Sequence, residues 1–394
     1  MLSAGAGVAV HDDGVTAAGE AARRALVSAS STAAEIAIVF AGGRHDHDEY
    51  AGVLGAVSRA LPRASVIGCS ATGVLSADEE VENSRAVAVL VLAQDGPGAS
   101  SLPRPLLVEG VRADARGAGA RLGREVRRTV GGDARGVAVA LFVDPAELDA
   151  VDFVAGLGEA APEVQFVGAG ASGGEAGCRV FYDGVARTDA CVALVLPRDL
   201  HPTVGMTQGC QALSEALTIT AADGNLVLEL DGRPSVEVLR RAISDPRNPG
   251  LRQMTPHLLA GIGELGEDGR SDYVVRHFAI AEGARSALAI SEPVRAGQTL
   301  RFTVRDAIGA RDDMKAMLDE QADARRDHPA RFGVYFNCAE RGSVLYGQPG
   351  LDPELIRRRF AKLPVVGVQS SFEIGPACGR PRMHMFTGVL LLAG

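Results

Sequence analysis

The chain has no tryptophan, only two lysines (Lys315 and Lys362), and no Cys-x-x-Cys pair among its six cysteines. Each shortage excludes something. Arginine carries nearly all the positive charge, and a formal net charge of −9 with a pI near 5.5 leaves no basic footprint for nucleic acid or an anionic membrane surface. The lysine scarcity, set beside the many Ala and Gly, reads first as genome composition. Cys69, Cys178, Cys191, Cys210, Cys338 and Cys378 are scattered without zinc-ligand spacing, as expected of reduced thiols in the cytosol. No apolar run approaches the roughly 18 residues of a membrane-spanning helix. The opening MLSAGAGVAVHDDG lacks the basic n-region of a signal peptide. The expectation is a cytoplasmic protein with neither a nucleic-acid nor a membrane partner.

What is present is enough to build two sizeable cores: 394 residues, 46% of them hydrophobic. Along the chain one order of segments recurs. Glu35 to Phe40 is a short apolar run. An amphipathic helix follows, with Tyr50, Val53, Leu54, Val57 and Leu61 on one face. Val66-Ile67-Gly68 runs into a Cys69-Ser70-Ala71-Thr72-Gly73 tip, and Ala86 to Ala93, apolar on both faces, predicts an interior strand. The order returns at Val137 to Phe142, a helix over Glu147 to Glu159, Val164 to Gly174, and Cys191 to Leu196. It returns again at Phe332 to Phe336, a helix over Asp352 to Phe360, Val365 to Gly367, and Gly388 to Leu392. Each copy ends its first strand on Phe (Phe40, Phe142, Phe336) and opens the second strand's tip with Gly (Gly68, Gly168, Gly367). Chance recurrence in an Ala/Val/Gly-rich chain is the alternative, but three copies in one order favour a βαββ unit of roughly 60 residues used three times.

Between the second and third copies the chain alternates like antiparallel strands. These cover Thr203 to Gly209, Leu217 to Thr220, Leu226 to Leu230, Tyr273 to Ile280, Ala287 to Ile290 and Thr299 to Val304, with a helix opened by Ser235. Ser244 to Gly269 reads as loop. The fold class is therefore α/β, with repeated βαββ units forming mixed sheets flanked by helices and a more antiparallel β-rich segment in the C-terminal half.

Several stretches carry a family resemblance. They are Gly68 to Gly73, Val167 to Gly174, Gln208-Gly209-Cys210, TAADGNLVLELDGRPSVEV (Thr220 to Val238), GQTLRFTVRDA (Gly297 to Ala307), Phe336 to Gly342 and Glu373 to Pro376. In this order the chain resembles a FIST (F-box and intracellular signal transduction) protein with N- and C-terminal FIST domains, expected over 1–226 and 227–394. The resemblance implies an intracellular sensory protein that binds a small ligand, an amino acid being the usual suggestion. It leaves any output to a separate signalling partner. The chain departs from the family pattern at Glu340, at Gln211 to Glu215, and at the Val368 to Phe372 lead into Glu373, so the ligand can differ from that of a typical relative.

The strand tips make the expected ligand-binding set: Cys69, Ser70, Thr72, Ser172, Gln208, Cys210, Asn337, Cys338, Arg341, Gly342, Ser371, Phe372 and Glu373. Arg341 is suited to clasp a carboxylate through two parallel hydrogen bonds, and Glu373 to take an α-amino group, together a fit for a small zwitterion. The plain alternative is an Arg341–Glu373 salt bridge without a ligand. Cys338 beside Arg341 is a possible nucleophile with His384 as its nearest histidine in sequence, but a cysteine at a strand end is more often a packing residue. The cluster His45-Asp46-His47-Asp48-Glu49 cannot converge on one ion and reads as a solvated helix start with Asp46 or Asp48 as N-cap. The Gly-rich tips lack a Walker lysine and a G-x-G-x-x-G leading into a helix, so no cofactor is expected. A thiol-dependent hydrolase and a ligand-independent adaptor are the competing classes.

Overall fold

A computed structural model describes residues 2–43, 47–94, 102–173, 177–244, 257–264, 273–281 and 286–394. The recurring order folds as three similar units. In the first, strand Leu2–Val10 and helix Gly14–Ser28 precede Ile36–Gly42, helix His47–Ala60, Ser65–Ala71 and Ala86–Gln94. In the second, Arg104–Glu109 and helix Ala115–Thr129 precede Ala138–Val143, helix Ala150–Ala160, Gln165–Gly170 and Ala190–Leu196. In the third, Thr203–Gln208 and helix Ala307–Ala324 precede Phe332–Cys338, helix Leu351–Arg359, Val365–Ser370 and Thr387–Ala393. The repeat is thus longer than the βαββ read from sequence, by one strand and one helix in front. The first helix of every unit is capped by an aspartate (Asp13, Asp114, Asp306) whose carboxylate accepts from backbone N–H groups of the first turn. Such a cap contributes about 1 kcal/mol. At the first helix Asp13 accepts from the Val15 and Thr16 N–H groups.

In each sheet the second and third strands are parallel and the outer pairings antiparallel. The repeated glycines follow from the parallel pairing. Gly68 lies opposite Val39, Gly168 opposite Leu141 and Gly367 opposite Tyr335. A Cβ at these positions would sit 1.9, 2.2 and 2.5 Å from the facing carbonyl oxygens. Gly68, at φ 142°, also occupies backbone space that L side chains rarely enter.

The three units are joined by exchanged hairpins. The hairpin of the first unit (Gly73–Ser76, Glu80–Glu82) pairs with Val365–Ser370 of the third. That of the second (Val180–Tyr182, Val185–Arg187) pairs with Ser65–Ala71 of the first, and that of the third (Glu373–Ala377, Arg380–His384) with Gln165–Gly170 of the second. The exchange runs once around the three units. Their inner faces meet in one core containing Phe40, Phe142 and Phe336, with ring centroids 5.7 Å (Phe40–Phe142) and 6.0 Å (Phe142–Phe336) apart. The outer faces pack under their own helices. Here the Ala and Gly content has a packing use. Ala17, Ala18, Ala21, Ala22 and Ala25 are wholly buried, and a Cβ at Gly5 would meet the helix backbone at 2.2 Å.

A fourth, antiparallel module interrupts the third unit between its first strand and first helix. Its strands run in the order Tyr273–Arg276, Leu258–Glu264, Gln298–Arg305, Leu217–Asp223, Leu226–Leu230, Ala287–Ile290 and Phe278–Ala281. Helix Ser235–Ser244 packs on its core. Leu258–Glu264 is a central strand within a stretch expected to be loop. The expected strand from Tyr273 to Ile280 breaks at His277 into two. The Asp46 expectation lies outside the described residues, while Glu49 pairs with Arg85 at 2.9 Å. No helix among the described residues is long and apolar enough to cross a membrane.

Candidate functional site

The parallel strands of the three units end near one another, and the expected site residues fall at these ends in four neighbouring groups. The first is a junction between units. The backbone N–H of Thr72 donates to Ser172 Oγ at 2.8 Å, and Ser172 Oγ donates to the carbonyl oxygen of Gln369. Ser70 Oγ accepts from the Arg179 N–H at 2.9 Å, and the Ser371 N–H donates to the Gly170 oxygen at 3.1 Å. Phe372 packs so closely on Gly170 that a Cβ there would lie 2.5 Å from its ring. Cys69 belongs to the central core. These residues hold the tips together, and their polar atoms are engaged with one another.

The second group lies on the outer face at the end of Phe332–Cys338. Arg341, 0% exposed, donates from Nε to Asp352 Oδ2 and from Nη2 to Oδ1, both at 3.1 Å. The Tyr335 and Tyr346 hydroxyls each donate to the same carboxylate at 2.9 Å, and Arg341 Nη2 also reaches Tyr346 Oη at 2.7 Å. The partner of Arg341 is therefore Asp352, not Glu373. Its remaining terminal nitrogen, Nη1, has no hydrogen-bond partner among the described residues. Asn337 Nδ2 and Gln369 Nε2 donate to Glu80 Oε1, at 3.3 and 3.2 Å, and Gln369 also reaches Glu82 at 2.9 Å. Burial, with Asp352 and Glu82 nearby, pushes the Glu80 carboxyl above its ordinary range. Gly342, at φ 56°, lies where a Cβ would fall 2.0 Å from Glu82 Oε1.

The third group faces inward. Glu373, 0% exposed, accepts from Ser370 Oγ at 2.9 Å, from Thr387 Oγ1 at 2.8 Å and from the Thr387 N–H at 3.2 Å. Burial outweighs these bonds and the attraction of Arg341, and the carboxyl is pushed up to about 7. Cys338 Sγ accepts from the Phe386 N–H at 3.3 Å. Burial and then Glu373 push its thiol well up, the opposite of what activates a nucleophile. His384 lies across the strand pair from Glu373, with Nε2 3.3 Å from the Gly375 oxygen, and burial followed by Arg276 lowers it to about 3. No Cys338–His384 hydrogen bond occurs among the described residues.

The fourth group marks the crossing into the antiparallel module. The Gln208 N–H donates to Asp313 at 2.7 Å, and Gln208 Nε2 to the Tyr273 oxygen at 3.3 Å. Cys210 packs with Leu259, Tyr273, Val275 and Phe386, and burial pushes its thiol up to about 12. A Cβ on Gly209 would lie 2.3 Å from the Phe386 oxygen and 3.5 Å from Arg341 Nη1. This crossing thus covers the free nitrogen of Arg341.

Sequence reasoning passed over Asp352, Tyr335, Tyr346, Glu80, Glu82, Ser370 and Thr387. Asp352, in the first turn of helix Leu351–Arg359, was within reach as an acid near an arginine. Glu80 and Glu82 arrive on an exchanged hairpin, and nothing local announces them.

The FIST N domain model matches residues 35–233 and the FIST C domain model residues 235–376. The chain belongs to the FIST family, whose domains are sensory domains of signal transduction. An uncharacterized protein of Mycobacterium tuberculosis is 30% identical over 394 residues, covering 98% of each chain. An uncharacterized protein of Mycobacterium bovis is 30% identical over 406 residues with the same coverage. A solved cyanuric acid hydrolase from A. caulinodans overlaps 50% of this chain and 71% of its own at 13% identity, with a TM-score of 0.29, too slight a likeness to carry any argument.

Proposed function

We propose that the chain is a cytoplasmic small-molecule sensor whose ligand is an amino acid or similar small zwitterion, received at the end of the third unit beneath the Gly209–Cys210 crossing. The observation that carries this reading is Arg341 Nη1, a wholly buried guanidinium nitrogen without a partner among the described residues. An orphaned buried donor costs about 1–3 kcal/mol, so a ligand carboxylate that accepts from it recovers that cost. Glu373 lies near enough for Arg341 to act on its ionisation, and Cys338 feels both charges. A carboxyl poised near neutrality in a buried setting is suited to become the counter-ion of an incoming ammonium. Asp352 holds the guanidinium in place by its other edge, leaving Nη1 for the ligand.

Gly209 packs too tightly for a ligand to enter without displacing the crossing. Binding therefore moves the start of the antiparallel module, and that displacement is the signal offered to a separate protein partner. The test is a dye-based thermal-shift panel of the twenty amino acids against the wild type and Glu373→Gln. A ligand at a hundred times its Kd adds about 2.7 kcal/mol, several degrees in midpoint. The reading expects a shift for selected amino acids that Glu373→Gln abolishes. No shift with any of them, or an equal shift in the variant, refutes it.

A further inference from the structure

The third unit's exchanged hairpin shapes a second cavity, away from the buried centre. It lies between helix Ala150–Ala160 of the second unit and the hairpin turn at Gly379–Met383, and has a volume of about 610 Å³. That is the size of a small-molecule pocket at a junction between structural units. Arg116, Arg276, Arg380 and Arg382 line it, with Glu159 the single acidic residue. The floor is apolar, formed by Val151, Val154 and Ala155 of the helix and Met383 of the hairpin. Pro381 closes one end against Gly158, where a Cβ would stand 3.1 Å from its ring.

The four arginines are not equally committed. Arg276 is 1% exposed and fully engaged. Its Nε donates to Glu292 at 2.7 Å, its Nη1 to the Val275 oxygen at 2.8 Å and its Nη2 to the Met383 oxygen at 2.9 Å. It is the back wall, tying the hairpin to the antiparallel module. Arg116 is shared between Glu159 at 2.7 Å and Asp152 at 3.6 Å. Arg382 stands 3.7 Å from Glu292, a loose contact. Arg380 is exposed and has no ion pair among the described residues. The side chains with donors to spare are thus Arg380 and Arg382, side by side on one hairpin above an apolar helix face.

We infer that this groove binds a small amphiphilic anion, its oxyanion head held by Arg380 and Arg382 and its short apolar tail laid along Val151, Ala155 and Met383. Arginine forks match the geometry of carboxylate and phosphate alike. Both head groups therefore belong to the class, and the experiment separates them. Because Arg382 and Arg276 share Glu292, an occupied groove draws on the contact that joins hairpin to module.

The experiment is a fluorescence titration of the full chain with anilinonaphthalene sulfonate, an anion with an apolar aromatic body, in the wild type, Arg380→Glu and Val151→Phe. Displacement by octanoate, octyl phosphate and octanol follows. The inference expects saturable binding at one site, weakened about tenfold by Arg380→Glu, which exchanges one charge attraction for a repulsion. It expects displacement by octanoate or octyl phosphate but not octanol, the stronger of the two acids identifying the head group. Val151→Phe, which fills the floor, should block the probe while Arg380→Glu keeps the wild-type melting point. Equal probe affinity in wild type and Arg380→Glu, or displacement by octanol as effective as by the acids, overturns the inference.

Discussion

Asp352→Ala is the substitution with the clearest consequence. The Asp352 carboxylate is 1% exposed and accepts four hydrogen bonds: two from Arg341 at 3.1 Å and one each from Tyr335 and Tyr346 at 2.9 Å. Removing it strands a guanidinium that is 0% exposed. Breaking a buried ion pair from one side costs about 3–5 kcal/mol, because the surviving charge has neither water nor a counter-ion. Against a typical domain stability of 5–15 kcal/mol this is a large fraction. In urea unfolding followed by circular dichroism, the midpoint should fall by roughly 1 M. The double substitution Asp352→Leu with Arg341→Met should recover most of the loss, since replacing both charges by apolar groups of similar size is close to neutral. An unchanged midpoint in Asp352→Ala would show that the pair does not hold the tip. A double variant as unstable as the single one would show that stranded charge is not the cause.

Other expectations concern pH, backbone and thiols. Glu373 is raised from 4.5 to about 7, so its stabilising contribution is full below pH 4.5 and lost as pH rises through 7. At 1.36 kcal/mol per unit this is about 3 kcal/mol, and the decline between pH 5 and 8 should flatten in Glu373→Gln. His384 is lowered from 6.5 to about 3, so its contribution is full above pH 6.5 and lost as pH falls towards 3, a limb that Glu373→Gln should leave intact. Gly68→Ala places a methyl 1.9 Å from the Val39 oxygen and should cost about 1–3 kcal/mol or more in thermal melts, whereas at Gly110, where nothing lies within 4 Å, the space allows alanine and only the φ of 69° resists it. A thiol-reactive probe on the native protein should label the half-buried Cys178 and Cys378 well before Cys338 or Cys210. Rapid selective labelling of Cys338 would revive the hydrolase reading.

The inner part of each unit was legible because it is encoded locally. Continuous apolar runs such as Ala86 to Ala93 gave the interior strands, and Gly68, Gly168 and Gly367 marked the parallel pairing that excludes a Cβ. The hairpins were not legible. Gly73 to Glu82 is short and partly charged, and its partner strand, Val365–Ser370, lies in another unit far along the chain, so no periodicity announces the pairing. Leu258–Glu264 was hidden by the proline, glycine and charge around it, although sheet neighbours on both sides fix it as a strand. At the candidate site, sequence placed Arg341 and Glu373 at neighbouring tips. Which face each occupies depends on strand alternation: Asn337 and Tyr335 point outward towards Glu80 and Asp352, Cys338 inward towards Glu373. Arg341 follows the outward pair, and its choice of Asp352 was decided by helix packing that no short motif records.

The most direct test of the sensor reading is isothermal titration calorimetry at pH 7 in two buffers of different ionisation enthalpy, using the amino acid selected by the thermal-shift panel. If its ammonium settles against Glu373, the carboxyl must give up the proton it holds part of the time at that pH. The wild type should then release roughly half a proton on binding, and Glu373→Gln should show no binding heat in either buffer. Binding with the same heat in both buffers would contradict the account.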